Sequence, residues 1–344
     1  MRIRPRLFDW DNLTGPQWIQ PELSQSEYED LSEATVMFIG QVPAEPNRAV
    51  VLGSGFIVGV ADTLIVATAS HIFTEWVERM LPSAPHALKG LVGDRDDVMR
   101  RLHAVILDRR IVACVNPMRT LTAMMVPIVG LAINSNPRDL DGGFVQLGLP
   151  PHADRDSFRT LPIDADLFSF QDPVLMAGYV GGGREYSIGE QPWVEGFYEQ
   201  KMAVRAGRVA ELVEEPDGHR SPMYRVLIPS RPGMSGGPLI AIRPSESEVF
   251  SFATAVGIVS SSRLSSPILI NHCEEGETWV SPWACALGRR VSINGTPTMM
   301  ADAIHNGTIR SYGVRAGSFE YIRDESNGVA RTTFRKRDDS PDGG

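Results

Sequence analysis

Cysteine is scarce in this sequence, and the few cysteines present form no even framework. The 344 residues include Cys114, Cys273 and Cys285. Although Cys273 and Cys285 could pair, a reduced cytoplasm explains all three more simply than a disulfide-stapled secreted domain does. His272 stands beside Cys273, but a zinc site is usually marked by four ligands at defined spacing. We therefore expect no metal and no other cofactor.

Long apolar runs are absent as well. No stretch reaches the roughly 18 apolar residues that a membrane-spanning helix needs. The basic opening from Met1 to Arg6 is followed by the segment from Phe8 to Asn12, which lacks the apolar region of a signal peptide. The sequence therefore predicts a cytoplasmic protein with no membrane partner.

Positive charge is in deficit, because 33 Lys and Arg face 42 Asp and Glu, for a net charge of −9. Nucleic-acid binding needs concentrated positive charge. The basic clusters around Arg4 and around Lys336 lie at the termini, where solvated tails explain them. We expect no nucleic acid as partner.

The most informative segment is the glycine-rich loop Gly233 to Pro238, with Ser235 at its centre and an apolar run after it. Small neighbours let a peptide carbonyl approach the serine hydroxyl, and glycine permits a turn that points successive N–H groups at one spot. Such a spot is an oxyanion hole. The same pattern is also typical of an ordinary turn entering a strand, so Ser235 needs partners to count as a nucleophile.

His71 is the candidate base among the seven histidines. Two β-rich runs, Gly53 to Val58 and Leu64 to Thr68, are separated by a turn-like segment, and the second leads through Ala69 and Ser70 to His71. A histidine just past a strand is aimed by a rigid scaffold. The alternative is a histidine that merely ends the strand or begins the amphipathic segment after it.

Asp141 is the candidate carboxylate that would orient the imidazole. It directly precedes an apolar run beginning at Phe144, so the carboxylate can be held inward and shielded. Asp139 is the weaker candidate, since a solvated loop acid following Asn136-Pro137 explains it.

The order of these motifs along the chain resembles the chymotrypsin/trypsin-like serine peptidase superfamily, and within it the disulfide-free bacterial branch that includes the HtrA-type enzymes. The matching motifs are TASHIF around His71, DGGFVQL after Asp141, GMSGGPL around Ser235, the upstream GSGFIV, and the strand from Ala255 to Ser262. The resemblance covers roughly residues 31 to 265.

The resemblance implies a role for each matching residue. Ser235 would be the nucleophile, His71 the general base, and Asp141 the group that orients it, while the N–H groups of Gly233 and Ser235 would form the oxyanion hole. Ser260 matches a position that hydrogen-bonds the aspartate. The backbone of Ser260, Ser261 and Ser262 would pair with the substrate as an added strand.

Two departures from the family pattern are informative. Met234 stands where activation by a new N-terminus needs an aspartate, so the sequence offers no partner for that ion pair. Pro229, six residues before Ser235, occupies the position that sets primary specificity in trypsin-like enzymes. Because Pro229 carries no charge, a small or apolar side chain at the cleavage point is the default expectation.

The resemblance implies an all-β fold of two six-stranded antiparallel β-barrels of trypsin-like type with a C-terminal helix. We expect an N-terminal extension over 1–30, a first barrel with His71 and Asp141 over 31–155, a second barrel with the nucleophile plus the helix over 156–310, and a partly disordered tail over 311–344. The predicted strands are 36–39, 49–58, 63–68, 104–107, 144–147, 173–179, 202–212, 224–228, 239–242 and 252–260, and the predicted helix is 297–305.

The sequence thus predicts a serine endopeptidase that acts on protein or peptide substrates through Ser235, His71 and Asp141. One alternative is a peptide-binding module on the same fold in which catalysis has lapsed. Another is a regulatory protease that a partner protein activates.

Overall fold

The computed structural model describes residues 2–3, 18–42, 45–80, 111–118, 120, 123–133, 141–164, 173–180, 186–187, 201–214, 221–244, 251–264, 276–283, 287–293, 296–308, 311–312, 319–324 and 331–336. In chain order, the strands are β1 (Arg2–Ile3), β2 (Trp18–Ile19), β3 (Thr35–Val42), β4 (Glu45–Val60), β5 (Thr63–Ala69), β6 (Ile111–Val115), β7 (Met124–Ala132), β8 (Gly142–Gly148), β9 (Ile163–Asp164), β10 (Pro173–Tyr179), β11 (Tyr186–Ser187), β12 (Met202–Val213), β13 (Met223–Val226), β14 (Pro238–Pro244), β15 (Ser251–Leu264), β16 (Gly276–Pro282), β17 (Arg290–Ile293), β18 (Thr296–Met299), β19 (Ser311–Tyr312), β20 (Phe319–Asp324) and β21 (Arg331–Lys336). The helices are α1 (Gln25–Ala34), α2 (His71–Met80), α3 (Met300–His305) and a 3₁₀ turn at Arg155–Ser157.

The first barrel closes from six antiparallel strands in the order β4-β3-β6-β7-β8-β5, with β5 pairing back onto β4. In β5, the side chains from Leu64 onward are buried, and the strand is also paired on both edges, by β4 and β8. A short apolar run is what such a fully buried strand requires. β11 extends the sheet on β4 outside the closed barrel.

The second barrel closes from six strands in the order β14-β10-β12-β13-β16-β15, with β14 pairing back onto β15. Short strands add to its outside: β2 pairs with β12, β1 pairs with β15, and β9 joins β15 in parallel. The expectation of two six-stranded antiparallel barrels with a C-terminal helix is confirmed.

The two barrels share an apolar core. Trp283 follows β16 of the second barrel and is fully buried. Its ring stacks on Phe144 at 5.2 Å between ring centroids and meets Phe56 edge-on at 5.9 Å, and both phenylalanines belong to the first barrel. Removing such a large aromatic surface from water holds the barrels against each other.

Helix α1 precedes the first barrel, and the sequence analysis did not predict it. Ser24 and Glu27 form a reciprocal capping box at its start, which satisfies N–H groups that a helix end leaves unpaired. Leu31 and Ala34 then bury one face of the helix. The Ser-x-x-Glu spacing was the available signal.

Within the described ranges, no helix has the length and apolarity to cross a membrane.

The predicted helix over 297–305 begins later than expected, at Met300. Residues from Thr296 to Met299 instead pair with β17 as a two-stranded hairpin. The predicted stop is correct, because Gly307 takes a φ of +74° and its N–H donates to the Ile304 carbonyl at 3.0 Å.

Every predicted strand that falls in the described residues overlaps an observed strand, while the predicted strand 104–107 lies outside them. Of the twelve strands that close the two barrels, β6, β7 and β16 were not predicted. Near the C-terminus, β20 and β21 pair as an antiparallel hairpin. The stretches expected to be disordered are 324–328 and 338–344; Asp324 is instead the last residue of β20, and the others lie outside the described residues.

Candidate active site

His71 and Asp141 are brought together by the register of two adjacent strands. β5 ends at Ala69, which pairs with Gly142 at the start of β8. The residues just beyond this pair, Ser70 and Asp141, are therefore neighbours, and the Ser70 N–H donates to the Asp141 carbonyl at 2.9 Å. Helix α2 begins at once with His71. Two strand ends thus supply both side chains.

The Asp141 carboxylate is enclosed by donors. Its side chain is 2% exposed. Oδ1 accepts the His71 backbone N–H at 2.9 Å, and Oδ2 lies 2.6 Å from Nδ1 of the His71 ring. The Ser260 hydroxyl, from β15 of the second barrel, donates to the same Oδ2. A carboxylate held this way orients the ring and favours the tautomer with the proton on Nδ1.

The environment of His71 shifts its basicity. Burial disfavours the imidazolium, but the charge of Asp141 and the hydrogen bond to it outweigh burial, with a smaller contribution from Glu75, and the pKa of His71 is raised above its ordinary value. The ring is still 19% exposed. An imidazole of raised pKa that reaches solvent on one side is suited to accept a proton.

The loop carrying Ser235 turns sharply between β13 and β14. Met234 N–H donates to the Arg231 carbonyl at 2.9 Å, with Pro232 second in the turn and Gly233 third at a φ of 96°. That is the pattern of a type II turn. Gly237 N–H then donates to the Met234 carbonyl at 2.9 Å, and Gly236 takes a φ of 85°. In the part of the chain that the structure describes, the N–H groups of Gly233 and Ser235 donate no hydrogen bond.

The Ser235 hydroxyl donates to the Ser260 carbonyl at 3.1 Å. Among the described residues, no hydrogen bond joins this hydroxyl to the His71 ring. Both side chains are nevertheless linked through one residue, since Ser260 accepts from Ser235 with its carbonyl and donates to Asp141 with its hydroxyl. In enzymes without substrate such bonds are often long or unmade.

Met234 anchors the loop from below. Its side chain is fully buried and belongs to the apolar cluster inside the second barrel. Its sulfur accepts the Arg231 N–H at 3.4 Å. The position that the sequence analysis singled out as lacking a charge therefore holds the loop by apolar burial.

The three serines Ser260 to Ser262, in the second half of β15, lie along an open strand edge. β14 pairs with β15 as far as Ile258, whereas Ser261 and Ser262 pair with Trp279 and Thr278 of β16. Beyond Ile258, no strand among the described residues occupies the other edge. Ser260 sits at a bulge in the pairing with β16. An extended peptide can add to such an edge.

Pro229 is buried, and its carbonyl accepts a hydrogen bond of 2.6 Å from Nη1 of Arg205. Arg205 is itself 4% exposed, and its guanidinium lies 4.4 Å from the ring centroid of Trp18 on β2. Arg205 was not predicted as a site residue, although an arginine among the apolar residues at the start of β12 was a visible anomaly. The guanidinium of Arg205 is therefore hydrogen-bonded to the backbone of the uncharged residue Pro229.

Other candidates from the sequence are less well placed or lie outside the structure. Asp139, His272, Cys273 and Cys285 lie outside the described residues. Within the residues that are described, no group of three or more His, Cys, Asp or Glu side chains is arranged to hold a metal ion.

The two closed six-stranded barrels have the double-barrel fold of the trypsin-like serine peptidases, which confirms the resemblance at the level of the fold. No family model matches the sequence, and no curated protein matches it. Among solved structures, the chain is similar to the active form of the Rv3671c protease from M. tuberculosis, with 15% identity, a TM-score of 0.39, and coverage of 73% of this chain and 77% of that one. It is also similar to Deg5, with 13% identity, a TM-score of 0.40, and coverage of 76% and 92%.

Proposed function

We propose that this protein is a serine endopeptidase with Ser235 as nucleophile, His71 as general base and Asp141 as the residue that orients His71. The observation that carries the proposal is the 2.6 Å contact between His71 Nδ1 and Asp141 Oδ2, next to a serine loop that Ser260 links to the same carboxylate. For proton transfer, the Ser235 hydroxyl would have to turn from the Ser260 carbonyl toward the His71 ring.

The proposed reaction runs in two halves. Ser235 Oγ attacks the peptide carbonyl carbon while His71 Nε2 takes the hydroxyl proton, and the negative carbonyl oxygen is held by the N–H groups of Gly233 and Ser235. The C–N bond then breaks, His71 gives its proton to the leaving amine, and an acyl-enzyme remains. Water activated by His71 hydrolyses the ester and restores Ser235. This chemistry needs no metal or cofactor.

Substrate would be a protein or peptide in extended form. The open edge of β15 at Ser260 to Ser262 supports binding as an added strand, and buried Pro229 supports a small or apolar residue at the cleavage point. We also propose a cytoplasmic location, which the scarcity of cysteine supports.

Fluorophosphonate labelling tests the proposal, because the reagent reacts with an activated serine whatever the sequence preference. We expect labelling of the native chain and hydrolysis of a denatured protein substrate, both lost in Ser235→Ala, with kcat reduced by about 10⁶-fold. Ser157→Ala is the control, since Ser157 lies outside the loop and its hydroxyl donates to the Asp154 carbonyl. Hydrolysis that survives in Ser235→Ala contradicts the proposal.

One observation favours a second candidate, a protease that a partner must activate. The Ser235 hydroxyl donates to the Ser260 carbonyl, which directs its proton away from the His71 ring. In that case we expect fluorophosphonate to label Ser235 slowly in the isolated chain, and a lysate fraction that contains the partner to accelerate the labelling. A lapsed peptide-binding module would instead bind peptide without labelling under either condition.

A further inference from the structure

Ser54 connects the first barrel to the serine loop of the second. It lies in β4 and is fully buried. Its N–H donates to the Ser235 carbonyl at 2.7 Å, and its hydroxyl donates to the Gly233 carbonyl at 2.7 Å. The same hydroxyl accepts the Tyr179 N–H at 2.7 Å. One residue of the first barrel therefore holds the carbonyls of both residues whose N–H groups would face the oxyanion.

The planarity of peptide bonds gives these contacts a consequence for the N–H groups. The Gly233 carbonyl belongs to the peptide plane that follows Gly233, and the Ser235 carbonyl belongs to the plane that follows Ser235. Ser54 thus holds the planes on either side of the peptide that carries the Ser235 N–H. The outer ends of the two planes are held as well, because Met234 N–H donates to Arg231 and Gly236 N–H donates to Val259.

Gly233 is the residue whose backbone conformation these hydrogen bonds must restrain. At a φ of 96° it takes a conformation that glycine adopts at little cost and can also leave at little cost. If the Gly233 carbonyl lost its partner, the plane could rotate to find another one. Rotation about Gly233 would turn the neighbouring N–H groups away from a common point.

We infer that Ser54 is a positioning residue that keeps the N–H groups of Gly233 and Ser235 aimed at one point, and that the docking of the first barrel on the second is thereby needed for a competent oxyanion hole. This inference rests on the proposed peptidase function. Among the described residues, no hydrogen bond joins Ser54 to the Ser235 hydroxyl or to the His71 ring. Its effect passes through the backbone of the loop.

Ser54→Ala tests the inference, with Thr35→Val as the matched control. Both changes remove one buried hydroxyl that donates to a carbonyl at 2.7 Å, but Thr35 donates to Leu31 in helix α1. We expect Ser54→Ala to lower kcat at least about tenfold, somewhat less than the 10²–10³-fold lost when an oxyanion donor is removed. KM stays near its native value. Thr35→Val keeps native kcat.

A peptide aldehyde inhibitor separates positioning from general loss of stability. Its adduct with Ser235 puts an oxyanion in the hole, so its inhibition constant should rise in Ser54→Ala by the same factor by which kcat falls. Equal kcat and equal inhibition in Ser54→Ala and Thr35→Val overturn the inference. If Ser54→Ala does not fold, Ser54→Cys keeps a weak donor at the position and should give an intermediate loss.

Crystal structures of the native chain and Ser54→Ala decide the matter independently of activity. We expect the Gly233 carbonyl to change direction in Ser54→Ala, with a change of its φ. A Gly233 that stays near 96° with its carbonyl unmoved overturns the inference, even if the chain proves to have no peptidase activity. Failure of labelling in the native chain, by contrast, overturns the proposed function alone.

Discussion

The His71–Asp141 pair and the Ser235 loop are built in different ways. The pair belongs entirely to the first barrel, where β5 and β8 are hydrogen-bonded neighbours and the Ala69–Gly142 register brings the two residues together. The loop belongs to the second barrel but depends on glycines at positive φ and on Ser54 from the first barrel. The sheet pre-forms the proposed acid–base pair within one barrel, whereas the loop is held by contacts from both barrels.

Asp141→Asn, which disrupts the pre-formed His71–Asp141 pair, should cause the largest loss of activity. An amide can donate to His71 Nδ1 and favour the wrong tautomer, so we expect kcat to fall by about 10⁴-fold while the fold is retained.

In the native chain, the rate should rise with pH through a midpoint above the ordinary histidine pKa of about 6.5, because the pKa of His71 is raised and only the neutral ring accepts a proton.

The pH profile of Asp141→Asn checks the cause of that raised pKa. Without the carboxylate, the residual activity should have its acidic midpoint at lower pH than in the native chain, since the imidazolium loses its counter-charge. Steady-state rates across the acidic range measure both midpoints. An unchanged midpoint would show that Asp141 does not set the basicity of His71.

Gly236→Ala should disrupt the contact between the Ser235 loop and β4 of the first barrel. An added Cβ would lie 2.0 Å from the Ser54 carbonyl oxygen and would sit at a φ of 85°, so the loop and β4 must separate. We expect activity to fall about 100-fold or more and unfolding free energy to fall by about 2–4 kcal/mol. Rates of hydrolysis and urea denaturation measure the two effects.

Gly307→Ala is the control for backbone strain. Gly307 has a φ of +74°, but nothing lies within 4 Å of an added Cβ. It should therefore lose about 1 kcal/mol of stability with native activity. If Gly236→Ala behaves in the same way, close approach of the barrels does not shape the loop.

Among the changes at the site, Ser260→Ala should cause the smallest loss of activity, and it sharpens the comparison because Ser260 contacts both Asp141 and Ser235. The change removes the hydroxyl that donates to Asp141 but keeps the carbonyl that accepts from Ser235. Asp141 retains both hydrogen bonds from His71, so we expect kcat/KM to fall only about tenfold, within the usual worth of a hydrogen bond to a charged group. A loss as large as that of Asp141→Asn would contradict this division of roles.

The parts of the fold that sequence predicted are those with a local signal. Strands such as β5 and β10 are short apolar runs bounded by turn residues. The motifs around His71 and Ser235 follow one another along the chain in the same order as in trypsin-like serine peptidases. The missed strand β7 contains Pro127 and Gly130, which weaken a strand pattern, and β16 begins with Gly276 and a polar pair. Both strands are paired on both edges, β7 by β6 and β8 and β16 by β13 and β15, and this pairing outweighs the local preferences.

Arg205 and Ser54 were missed for a different reason. Ser54 does not stand out from its sequence neighbours, and the charge of Arg205 stands out without indicating a partner, because each side chain acts on a residue elsewhere in the chain, Arg205 on Pro229 and Ser54 on Gly233. A backbone carbonyl offers no sequence signature of what will bind it. Such contacts become visible only when the strands are assembled.

The sequence by itself determined the chemical types available and their local settings: a histidine past a strand, an acid before one, and a serine among glycines. Tertiary structure decided which atoms meet. Strand register joins His71 to Asp141, β15 brings Ser260 to both the Asp141 carboxylate and the Ser235 hydroxyl, and docking of the barrels brings Ser54 to the loop. The physical reason is that hydrogen bonds act over about 3 Å, and only packing of distant segments sets separations on that scale.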